Sequence, residues 1–180
     1  MKYFYIFLCF ALIGCGVQKS NVLLKKETNF ALGENEIVKF DEINYYKFDK
    51  SFDEFYLINH HKSSKRKAIY DIVYGNTPKT VLDTLFVKDL EKYHYHKKHL
   101  ENSKYQKIAE IYANGSRQYD VTCKVTFRDI LVFKKNNKIV GISKICFGCG
   151  WETTFFNQKR YYNLVSIDKF DELENILNPN

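Results

Sequence analysis

The chain has 180 residues, with 28 Lys and Arg against 21 Asp and Glu for a formal charge of +7, and its 45% hydrophobic and 17% aromatic content excludes an intrinsically disordered chain. Two Pro and eight Gly leave little material for long flexible linkers, and the predominance of Tyr and Phe favours strands over an all-helical bundle. The lysines are scattered rather than ordered into a stripe. The one tight cluster (Lys62, Lys65, Arg66, Lys67) reads as a solvated loop.

In chain order, Met1-Lys2 gives a short positive start and Tyr3 to Ile13 is an unbroken apolar run. That run falls well short of the ~20 residues needed to span a hydrocarbon core and fits the apolar segment of a signal peptide. It ends in Leu12-Ile13-Gly14-Cys15, which resembles the lipobox of bacterial lipoproteins: aliphatic, variable, small, cysteine. The resemblance implies that a peptidase cuts before Cys15, that the Cys15 thiol carries a diacylglycerol, and that the new amine is acylated. Residues 1–14 are then a signal peptide, 15–32 a lipidated tether and 33–180 a single α+β domain. One acyl chain binds a bilayer only marginally, but two or three, at ~0.8 kcal/mol per buried methylene, hold firmly. Gly16 follows the cysteine and no acidic residue occurs before Glu27. In lipoproteins, Asp after the cysteine can signal inner-membrane retention. The expected place is therefore the cell envelope, on the outer membrane facing the periplasm, with the membrane as one partner, a protein as a further one, and no nucleic acid.

Beyond the tether, residues 36–40 and 43–48 read as short strands around a turn near Asp41, and Glu54 to Asn59 and Ala68 to Tyr74 have strand composition. Gly75-Asn76-Thr77-Pro78 is a break. Val81-Leu82 and Leu85-Phe86-Val87 suggest a strand, and the alternation from Tyr93 to His99 another. Ser103 to Ala113 is predicted as a helix capped by Asn102 or Ser103, with Ile108, Ile111 and Tyr112 at helical spacing and Asn114-Gly115 as its stop. Phe127 to Phe133 and Ile139 to Phe147 form a hairpin about Asn136-Asn137. Trp151 to Phe156 is a further strand, and Ile167 to Leu177 an amphipathic helix capped by Asp168. The fold class is α+β, an antiparallel sheet packed against one or two helices.

Setting aside Cys9 in the leader and Cys15 leaves Cys123, Cys146 and Cys149, and three readings stay open. Exported thiols within reach of one another tend to pair. A hairpin centred between Asn136 and Asn137 sets Cys123 opposite Gly150, beside Cys149, and Cys146 opposite Phe127. A bridge from Cys123 to Cys149 or Cys146 then leaves one thiol over. Cys146-Phe147-Gly148-Cys149 also has the spacing of thiol-redox motifs, although a turn and strand follow it rather than the helix that such chemistry uses. Finally, Cys146-x-x-Cys149-Gly150 resembles a single zinc knuckle, which lacks two of its four ligands.

The run from Cys123 through Phe133, the polar turn, and Ile145-Cys146-Phe147-Gly148-Cys149 is similar to an arrangement in small uncharacterised bacterial lipoproteins. In these, Cys and Arg precede a β-hairpin that ends in an Ile-Cys-Phe-x-Cys-like segment. Phe127 and Asp129 stand where that family often has Pro and His. The resemblance implies an architecture and no reaction.

His94-Tyr95-His96 on a strand would set both imidazoles on one face, a spacing that metal sites use. No carboxylate is committed as a third ligand, and His60-His61 beside the basic loop reads as surface. No phosphate loop, nucleophile elbow, His-Glu-x-x-His or paired-carboxylate motif occurs, and no cofactor is expected. These features predict a non-enzymatic, membrane-tethered binding module, one version of which is of immunity or inhibitor type. The alternatives are a thiol or zinc protein using Cys123, Cys146 and Cys149, and an envelope-structural lipoprotein.

Overall fold

A computed structural model describes residues 27–32, 36–49, 63–75, 77–113 and 122–179. The leader, the lipobox with Cys15, the segment Glu54 to Asn59, His60-His61, Lys62 and the helix stop Asn114-Gly115 lie outside the described residues. The strands are β1 (Thr28–Ala31), β2 (Ile37–Phe40), β3 (Glu42–Phe48), β4 (Tyr95–Lys98), β5 (Asp129–Lys135), β6 (Lys138–Cys146), β7 (Trp151–Phe156) and β8 (Lys159–Tyr162). The helices are α1 (Ser64–Val73), α2 (Leu85–Asp89), α3 (Tyr105–Ala113) and α4 (Phe170–Leu177). β1 and β2 form a separate antiparallel ribbon; the other strands make one antiparallel sheet in the order β4-β3-β5-β6-β7-β8. The fold is α+β.

The central strand β5 is a continuous apolar run from Ile130 to Phe133 because both of its faces are covered. From β5, Leu131 and Phe133 point to one layer, with Phe30, Phe40, Tyr112 and Leu173 of the ribbon, α3 and α4. Ile130 and Val132 point to the other, with Ile69, Ile72 and Phe86 of α1 and α2. Gly141 is needed for closeness: a Cβ there would meet the Phe156 ring at 1.9 Å.

Two tight turns set the register. Asn136 and Asn137 (φ 50 and 63) join β5 to β6, and Asn157 and Gln158 (φ 48 and 66) join β7 to β8. Paired positive φ values give the turn whose twist matches the strands. The hairpin is centred where the sequence predicts, with Lys135 facing Lys138. A bulge at Phe133/Lys134 then shifts the pairing by one residue, so that Phe133 faces Gly141 and Asp129 faces Ile145.

Several predicted elements are corrected. Ala68 to Tyr74, read as a strand, belongs to α1: Ser63 Oγ accepts from Arg66 N at 3.3 Å, and Ile69, Ile72 and Val73 form one buried stripe at helical spacing. Lys65, Arg66 and Lys67, read as loop, lie in its first turns. Leu85-Phe86-Val87, read as a strand, is the short α2, and Val81-Leu82 is a turn. The strand from Phe127 begins only at Asp129, because Phe127 N donates to Val73 O at the end of α1, 2.9 Å away. Thr28–Ala31, read as the end of the tether, is β1, which buries Thr28 and Phe30. Asp168 sits inside a 3-10 turn, Ile167–Lys169, that precedes α4.

Candidate functional site

α1 and α2 cover their side of the sheet over β3, β5 and the first part of β6. Over the rest of β6 and over β7 and β8 no described helix covers that face, and strand alternation sets the buried Lys144, Thr153 and Phe155 on it beside Trp151, Arg160 and Tyr162. Tyr74, Gly75 and Pro78, just beyond α1, and Val125 and Phe127, before β5, rise as walls to enclose a cavity of about 250 Å³.

Lys144 holds the floor and one wall together. Its ammonium donates to Gly75 O at 2.9 Å and Thr77 O at 2.8 Å, and lies 4.4 Å from the centre of the Phe127 ring. Burial, aided by the charge of Arg160 and opposed by Asp71, draws its pKa down to about 7. The Arg160 guanidinium lies 4.9 Å from the Phe155 ring centre and donates to the Tyr162 hydroxyl at 3.1 Å. Trp151 and Tyr162 stand 6.4 Å apart at the mouth. Among the described residues lining this cleft there is no carboxylate.

Behind the floor, on the opposite face of β7, lies a buried polar chain. Glu152 is fully buried; one carboxylate oxygen accepts from Leu164 N and Val165 N, and the other from the Thr154 hydroxyl. Thr154 and Tyr112 each reach Ser143 Oγ at 2.7 Å. Burial outweighs these donors and raises Glu152 to about 7. The chain ties β7 to β6, to α3 and to the segment that leads into α4, which fixes the cleft floor.

A second cleft of about 540 Å³ opens where β3, β5 and β6 meet the end of α4. Cys146 and Cys149 line it. Cys123 and Cys149 form a disulfide with Cα atoms 6.1 Å apart, and Cys146 is a buried free thiol. Beside them the Tyr45 hydroxyl lies 2.5 Å from Asp129 Oδ1 and 2.9 Å from Asn178 Oδ1, and Lys47 Nζ donates to Asn178 Oδ1 at 2.7 Å. Burial raises the Asp129 carboxyl above its ordinary value against the opposing pull of Tyr45, and burial with the Asp129 charge pushes the Tyr45 phenol far up.

The two histidines are not paired by strand alternation. His94 has φ 67 and ends the 3-10 turn before β4, while His96 lies in β4 with Nε2 3.4 Å from Asp49. Among the described residues, no three His, Cys, Asp or Glu are grouped to hold a metal ion, and no helix is long and apolar enough to cross a membrane.

Lys144, Trp151, Arg160 and Tyr162 were not singled out from the sequence. Lys144 is the one charge inside the otherwise uncharged run Val140 to Phe147, and Asn157-Gln158 between aromatic segments marks the unrecognised β7–β8 hairpin. No protein-family model, curated protein or solved structure matches the chain.

Proposed function

We propose that this protein is a lipid-anchored, non-enzymatic binding module of the cell envelope, and that its ligand is a small ring-bearing anion held in the cleft over β6, β7 and β8. The cleft itself carries the reading. Tyr74, Phe127, Trp151, Phe155 and Tyr162 line it with rings, cations already lie over Tyr74, Phe127 and Phe155, and Arg160 supplies positive charge that no lining carboxylate among the described residues opposes. Aromatic walls favour a planar or flat-faced ring, and a guanidinium beside them suits a carboxylate. The volume is small for a ligand pocket and suits one ring with one acidic substituent. The lipobox resemblance at Cys15 supplies the anchor.

Equilibrium dialysis of the full chain in detergent against labelled phenylacetate, glucuronate and phenylacetamide tests this reading. Uptake of one acid at least 10-fold tighter than the neutral amide, or about 1.4 kcal/mol, supports it and tells an aryl acid from a sugar acid. Equal uptake of acid and amide, or none of any, overturns it.

A further inference from the structure

The second cleft carries an inference independent of the ligand reading. Its disulfide faces out and its thiol faces in: Cys123 is exposed, Cys149 half-buried and Cys146 6% exposed. One short segment touches both sulfurs of the Cys-x-x-Cys pair. Thr126 N donates to Cys146 Sγ at 3.4 Å, and Cys149 Sγ lies 3.7 Å from Lys124 O. Cys146 ends β6 and Cys149 closes the 3-10 turn Phe147–Cys149 directly after it, so the two residues stand three apart in the chain and line the same cleft. Gly148 in that turn has nothing within 4 Å of a would-be Cβ, which leaves room for the turn to shift.

We infer that these three residues form a thiol–disulfide exchange centre, in which the single free thiol moves between the buried Cys146 and the exposed Cys123. The Cys146 thiol gives its proton to water and its thiolate attacks Cys149 Sγ. The Cys146–Cys149 bond forms, the Cys123–Cys149 bond breaks, and Cys123 leaves as a thiolate that takes a proton from water. One disulfide and one thiol stand on each side, so no oxidant or reductant is consumed. The product displays a surface nucleophile whose chemical target is a disulfide or other soft electrophile of a partner. The starting form keeps that nucleophile out of reach.

The test is slow alkylation of the native full chain in detergent with iodoacetamide, followed by acid quench, digestion at low pH and mass mapping of linked peptides. Exchange of this kind takes minutes to hours without a catalyst, and the label is expected to accumulate on Cys123 with a new Cys146–Cys149 link, the Cys123–Cys149 link declining in step. Label confined to Cys146, or no label while Cys123–Cys149 persists, overturns the inference. Cys146→Ser should abolish labelling of Cys123; labelling that survives would mean that Cys123 is simply reduced, which also overturns it. Cys123→Ser should yield a Cys146–Cys149 link on air oxidation. Two unlinked thiols there would show that the sulfurs do not meet.

Discussion

Lys144 reaches from the middle of β6 to the carbonyl of Thr77, 2.8 Å away across the cleft, and so ties the sheet to the chain that follows α1. A second bond to Gly75 O, at 2.9 Å, makes the link two-pronged. The charged amine is buried among rings, which draws its pKa to about 7 from an ordinary 10.5. The folded state therefore binds its proton less readily than the unfolded chain does. The stability that this lysine contributes is present above about 10.5 and is lost as the pH falls toward 7. In Lys144→Met, thermal unfolding should lose that rise between pH 7 and 10. The loss on substitution should be largest near pH 10, where the uncharged amine serves two carbonyls without the burial cost of its charge.

Glu152 behaves in the opposite sense. Its carboxyl is raised to about 7 from 4.5, so the folded state holds the proton more tightly. Its contribution is complete below 4.5 and is lost as the pH rises through 7, on the order of 3 kcal/mol at the upper limit. Glu152→Gln keeps an acceptor for Leu164 N and Val165 N without the charge, and its Tm should exceed that of the parent at pH 8 and converge with it at pH 4. Together the two groups place a minimum in the parent's stability near neutrality, visible as a dip in Tm between pH 5 and pH 9.

Gly141→Ala should destabilise the fold by about 1–3 kcal/mol, the usual cost of overpacking a core. The added carbon would fall 1.9 Å from Phe156, whose ring is held between Phe30 at 5.3 Å and Phe133 at 5.0 Å and cannot swing away. Chemical denaturation measures the loss, and pairing the change with Phe156→Leu should recover part of it.

Tyr45→Phe removes the donor that faces buried Asp129 and should cost about 1–3 kcal/mol. The double variant Tyr45→Phe/Asp129→Asn, read as a cycle by urea denaturation, should show coupling, because each residue is the other's partner.

Much of the architecture is legible where a local rule and the tertiary packing agree. Asn136-Asn137 between apolar runs marks a hairpin, Trp151–Phe156 is aromatic and β-branched enough to read as a strand, and Ile108, Ile111 and Tyr112 keep helical spacing. Reading failed where composition and periodicity disagree. Ala68 to Tyr74 contains the residue types of a strand, yet Ile69, Ile72 and Val73 are spaced for a helix, and Ser63 caps it. The cleft over β6, β7 and β8 is hidden for a different reason. Lys144 comes from β6, Trp151 from β7, Arg160 from β8 and Tyr74 from the end of α1, and no sequence spacing joins them; sheet order does. The cysteines were visible as a group because the hairpin that brings Cys123 toward Cys149 is itself local.

The proposed anchor makes a separate prediction. Cys15→Ser should abolish incorporation of labelled fatty acid and move the protein from the membrane pellet to the soluble fraction. A variant that still takes up label and sediments like the parent would remove the tether from the account.

Trp151 is the chain's sole tryptophan and stands in the cleft wall, so its emission reports on the site directly. Titrating the full chain with phenylacetate and glucuronate, alongside phenylacetamide, should shift Trp151 emission saturably with an acid. Arg160→Ala should weaken that response at least 10-fold while leaving Tm nearly unchanged. An emission spectrum that stays fixed with both acids, or that responds equally in Arg160→Ala, contradicts the claim that this cleft binds a ring-bearing anion.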